Sequence, residues 1–94
     1  MPKPKTFTNV WDALENSPEE ASTMAMRSNV LAALSDAVQQ WNTTEAKAAR
    51  RLGITRTRLN DLLRGKINKF SLDTLLVLAM RAGLKVKIEI RAAA

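Results

Sequence analysis

Thr55 to Arg64 carries a run of donors and acceptors at helical spacing, interrupted by leucines. Turning Leu59, Leu62 and Leu63 to one side of a helix leaves Arg56, Thr57, Asn60, Asp61 and Arg64 on the other. Forked, planar side chains on such a face match the edges of base pairs. Arg56 can bond guanine O6 and N7 at two points, and Asn60 can do the same with adenine N6 and N7. Thr57 can touch a thymine methyl or exchange one hydrogen bond. Asp61 has two readings: it holds Arg58 or Arg64 through helical spacing, which is preferred, or it accepts from cytosine N4.

Around this face lie residues suited to phosphate. Arg58, Arg64, Lys66 and Lys69 read as phosphate clamps. Thr44 and Thr55, each at the start of a helix, sit beside free backbone amides that bind anions.

Base readers need a rigid support. The helix that starts near Thr43 or Thr44 ends at Gly53, Ala49 is small where two helices would cross, and Leu52 and Ile54 join the leucines on an inward face. Two short amphipathic helices across one glycine make a helix-turn-helix, whose second helix enters a major groove. A structural hairpin with solvated arginines is the competing reading. The turn, the cationic outward face and the charge segregation together argue against it.

That segregation is pronounced. The whole chain carries +6, but residues 43–69 hold eight Lys or Arg against Glu45 and Asp61. Residues 7–42 hold only Arg27 against Asp12, Glu15, Glu19, Glu20 and Asp36. The basic stretch is an electrostatic footprint for phosphate, and the acidic one suits a basic partner.

Composition excludes other classes. With no cysteine and no histidine in 94 residues, disulfides, Cys/His metal sites and imidazole or thiol catalysis are ruled out. The carboxylates sit where helix starts favour negative charge and build no nucleophile–base pair, so no enzyme, cofactor or metal is expected. No apolar run approaches the roughly 18 residues of a membrane span, and no secretory signal is visible, so residence in the cytoplasm, on the nucleoid when bound to DNA, is expected.

The remaining elements follow from caps and periods. Residues 1–8 read as a flexible basic arm, residues 9–91 as one domain and residues 92–94 as a tail. Asn9 caps a short helix presenting Val10, Trp11 and Leu14. Ser17, Pro18 and Glu20 open a long helix reaching about Trp41, with Met24, Arg27, Leu31, Leu34, Val38 and Trp41 on one face and the Arg27 stem lying along it. Ser71 caps a last helix, Phe70 and Leu75 staple its start, and Gly83 stops it.

From Leu84 the period becomes two. Leu84, Val86, Ile88 and Ile90 alternate with Lys85, Lys87, Glu89 and Arg91, which reads as one β-strand over 84–91. A lone strand needs an edge. The same strand of a second copy would give a two-fold dimer; the Lys5–Thr8 arm is the alternative.

Thr44 to Lys66, followed by Phe70-Ser71-Leu72-Asp73-Thr74-Leu75-Leu76 and the 84–90 strand, resembles the lambda-repressor-like (XRE) regulators. With the opening Asn9-Val10-Trp11 and the acidic start of the long helix, it more narrowly resembles HigA-type antitoxins of toxin–antitoxin modules. The resemblance implies a mainly α, lambda-repressor-like bundle with a terminal strand. It implies a homodimeric repressor of a palindromic operator on double-stranded DNA, neutralising a small basic RelE/HigB-like ribonuclease and regulating its own operon. A stand-alone or phage-type regulator without a toxin is the alternative. The family usually has glutamine, a DNA-backbone contact, where this chain has Glu45; its carboxylate repels phosphate and is expected to complete the helix cap with Asn42.

Overall fold

The computed structural model describes residues 17–92. The expected basic arm, the Asn9-capped helix and the end of the tail lie outside them. Among the described residues the chain forms four helices: α1 (Pro18–Gln40), α2 (Glu45–Leu52), α3 (Arg56–Leu63) and α4 (Leu72–Arg81), with a single 3-10 turn at Ile67–Lys69. The mainly helical expectation is met.

Each helix starts on a side-chain cap. Ser17 Oγ accepts from the Glu20 amide at 3.0 Å, Thr44 Oγ1 from Lys47 at 3.2 Å, Thr55 Oγ1 from Arg58 at 3.1 Å and Ser71 Oγ from Thr74 at 3.2 Å. Each satisfies a donor that a helix start leaves unpaired, and each such cap contributes about 1 kcal/mol. α2 ends where Gly53 takes φ +71°, so that the Ile54 amide reaches back to Ala49 O at 3.0 Å. A side chain there would be strained in φ and would meet Arg81 Nη1 at 3.0 Å. Arg81 occupies that space because Nη1 donates to Leu52 O at 3.0 Å, tying the end of α4 to the turn.

The core forms where α1 and α4 flank the α2–α3 pair. Leu34, Leu52, Leu62 and Leu75 are fully buried, and Leu59, Phe70 and Leu78 are nearly so. Each large apolar side chain sealed in this way contributes about 1.5–3 kcal/mol. Ala48 and Ala49 are buried in α2, where a larger side chain would hold the helices apart. Phe70 and Leu75 flank the Ser71 cap and both enter the core, completing the staple.

Arg27 does more than lay its stem along the apolar face of α1, as expected for it. The whole residue is buried, Nη1 donates to Phe70 O at 3.3 Å, and Nη2 lies 3.7 Å from Glu20 Oε1. A buried guanidinium persists only with such partners, so Arg27 clamps α1 to the segment leading into α4.

The C-terminal segment also differs from expectation. Among the described residues there is no β-strand, and residues 84–92 form neither helix nor ladder. Alternation survives in its first half, where Leu84 and Val86 are half-buried while Lys85 and Lys87 are exposed. Ile88 and Ile90 then run out into solvent. A strand is defined by a backbone partner, and one copy supplies none among the described residues; the Lys5–Thr8 alternative lies outside them.

Candidate nucleic-acid interface

The face opposite Leu59 and Leu62 comprises Arg56, Thr57, Asn60 and Arg64, all exposed. It exists because the leucines at positions 59 and 62 fix the roll of α3 against the core. Thr55 and Thr44 are exposed at the starts of α3 and α2, with their hydroxyls engaged in capping. The amides of the first helical turns beside them lack intrahelical acceptors. Both helix starts therefore present the donors that anions take up.

The structure divides the expected cations into groups that differ in freedom. Arg58 is turned back onto the protein, where Nη1 donates to Lys69 O at 2.8 Å and the guanidinium lies 4.3 Å from the centre of the Phe70 ring. This stacked arginine braces the loop after α3 as much as it offers charge. Arg51 is similarly laid on Trp41, at 3.9 Å from the ring centre. Arg64 and Arg56 stay on the outer face.

Asp61 requires a correction. It was expected on the outward face, holding Arg58 or Arg64. Instead it is buried, and its carboxylate pairs with Lys66 at 3.5 Å and Lys69 at 3.4 Å. The turn after Leu63 folds the 66–69 loop over Asp61, an outcome set by the path of the chain rather than by spacing within the helix. Lys66 and Lys69, both partly exposed, thus reach solvent while sharing one carboxylate.

Burial alone would push the Asp61 pKa up. The charges and hydrogen bonds of Lys69, and then of Lys66, outweigh burial and hold it below the ordinary 3.8. A carboxyl whose pKa is depressed on folding stabilises the fold fully above its unfolded value, and that contribution is lost as pH falls through the lower folded value. Asp61→Asn is therefore expected to melt below the wild type at neutral pH, with the gap closing only below about pH 4. A gap that stayed constant into strong acid would refute this role.

Glu45 was expected to complete the α2 cap with Asn42. The cap is Thr44, and Glu45 Oε2 faces Arg56 Nη2 at 3.7 Å across the turn. Nothing in helical periodicity signals this pair, because its members open two different helices. Asn42 itself takes φ +50° just beyond the end of α1, a conformation asparagine tolerates.

Among the described residues no three carboxylates gather to hold a metal ion, and no helix is long and apolar enough to cross a membrane. A family model described as a helix-turn-helix domain matches residues 13–91. No curated protein matches the chain.

Proposed function

We propose, from the premise that this chain belongs to the helix-turn-helix domain family, that it is a sequence-specific repressor reading a palindromic operator as a homodimer. The observation that carries this reading is the division of α3. Leu59 and Leu62 are 1% and 0% exposed, while Arg56, Thr57, Asn60 and Arg64 stand on the opposite, open side. A helix so divided is rigid where it is buried and chemically informative where it is not. Arg56 and Asn60 read bases, Thr57 adds a methyl or single hydrogen-bond contact, and Arg64 with the starts of α2 and α3 meets phosphate. Lys66, Lys69 and Arg58 contribute charge from the flank.

Segment 84–91 supports the dimer, because its apolar residues at 88 and 90 have no cover among the described residues of one copy. Pairing the two segments would set half-sites about one DNA turn, ~34 Å, apart. In the cell, on this reading, the protein sits in the cytoplasm and on the nucleoid. It acts as the antitoxin of its operon, neutralising a small basic RelE/HigB-like ribonuclease. The acidic excess of residues 7–42 supports that assignment. Co-expression with the neighbouring gene product and purification of a stoichiometric complex would bear it out. If no complex forms while operator binding persists, the protein is a stand-alone regulator.

The DNA reading is tested by gel shift on the duplex upstream of its own gene. Arg56→Ala is expected to cost about 1–3 kcal/mol and to relax preference at one base position. Lys66→Ala is expected to weaken all sequences alike and to reduce the salt slope by less than the ~0.9 of a full phosphate contact, since Asp61 already shares its charge. Unchanged affinity and base preference in Arg56→Ala would defeat the assignment.

A further inference from the structure

We propose that Glu45 is a specificity-determining positioning residue, which steers Arg56 away from phosphate and toward a base edge. This rests on the DNA-reading function above and deepens it. Glu45 and Arg56 are the first residues of α2 and α3, and their side chains are 52% and 69% exposed on the open face. A carboxylate at a helix start has a bland explanation, since it complements the helix dipole. That explanation places no demand on the side chain's neighbour, yet Oε2 stands 3.7 Å from Arg56 Nη2.

The separation matters. At 3.7 Å the two charges attract, but the contact is too long to be a hydrogen bond. The guanidinium is therefore tethered while all five of its N–H donors remain available. An arginine at a groove has two competing acceptors: the phosphates on the walls and the O6 and N7 pair of guanine on the floor. An untethered guanidinium gains most from phosphate, which is charged and present at every sequence.

Glu45 changes that balance in two ways. It cancels the local positive charge, so the pair as a unit gains little from phosphate and is repelled from the wall on the carboxylate side. Guanine is neutral and is held by directed hydrogen bonds, which the tethered guanidinium still supplies. The acidic residue thus lowers binding to DNA in general and sharpens the choice among sequences.

The test begins with selection of bound sequences from a random duplex pool by the wild type. Affinities are then measured across a salt series for the selected duplex, its guanine-substituted variant and an unrelated duplex. The proteins are wild type, Glu45→Gln, Glu45→Ala, Arg56→Ala and Glu45→Ala combined with Arg56→Ala, each first shown to be folded by circular dichroism. Both Glu45 variants are expected to bind the unrelated duplex more tightly, with a salt slope steeper by about 0.9. Their preference for guanine is expected to fall about two- to fivefold, the range open to an exposed ion pair. Without Arg56, changing Glu45 should leave base preference unmoved. A purely structural Glu45 would alter melting and leave the preference ratio as it is. An unchanged ratio in both Glu45 variants, or the same change in the absence of Arg56, overturns the role. A wild type that selects a sequence with no guanine preference dependent on Arg56 also overturns it, but leaves DNA reading intact. Failure to select any sequence overturns both.

Discussion

Phe70→Ala is expected to cost about 3–5 kcal/mol of folding stability, the range for emptying a buried aromatic site. For a domain of this size that is a large part of a total near 5–15 kcal/mol, and it should lower the melting temperature by well over ~10 °C. The expectation rests on several roles held by one residue. The ring is 1% exposed, it staples the start of α4 with Leu75, and it lies beneath the Arg58 guanidinium at 4.3 Å. The backbone oxygen of the same residue accepts from buried Arg27. Losing the ring opens a cavity in the core and frees Arg58 from its platform. Phe70→Leu separates these effects, because it refills much of the cavity without restoring the π face. It should recover most of the stability. Thermal melts followed by circular dichroism check both variants, and a Phe70→Ala protein within 1 kcal/mol of wild type would contradict the packing described.

The largest effect on function is expected from Ile88→Lys combined with Ile90→Lys. These side chains are 68% and 90% exposed, so the packing of the described residues does not depend on them. On the dimer reading they form the apolar face of the shared ladder, and two like charges brought together there would separate the copies. Light scattering should then report a monomer. Affinity for a two-half-site duplex should fall by about 10²–10⁴, the advantage that linking two binding events confers, while affinity for a single half-site stays the same. A dimer of unchanged mass would show that the copies meet elsewhere.

How much was legible in the sequence depended on the range of the interaction. The caps at Ser17, Thr55 and Ser71, the Phe70–Leu75 staple and the stops at Gly53 and Gly83 are local, set by residues a few positions apart, and all appear where the sequence implied them. The buried stripe of α1 and the leucines of α3 followed from periodicity alone. Contacts made across the chain were not legible. Arg27 meets Phe70 across 43 residues and Arg81 meets Leu52 across 29, and neither has a local signature. Asp61 was misplaced for the same reason, because the lysines that bury it arrive on a returning loop. At the C-terminus the alternating pattern was readable, but the identity of a partner is not a property of the strand's own residues.

The open side of α3 has a consequence for how this protein changes over generations. Arg56, Thr57, Asn60 and Arg64 are exposed, whereas the leucines, Phe70 and Arg27 carry the fold. Substitutions at these exposed positions are nearly neutral for folding, so, on the DNA-reading function proposed above, the preferred sequence would be free to drift without passing through unfolded intermediates. On that proposal, duplicated copies of such a gene would acquire separate targets one residue at a time. Arg58 lies outside that freedom, because its ties to Lys69 and Phe70 make it part of the frame.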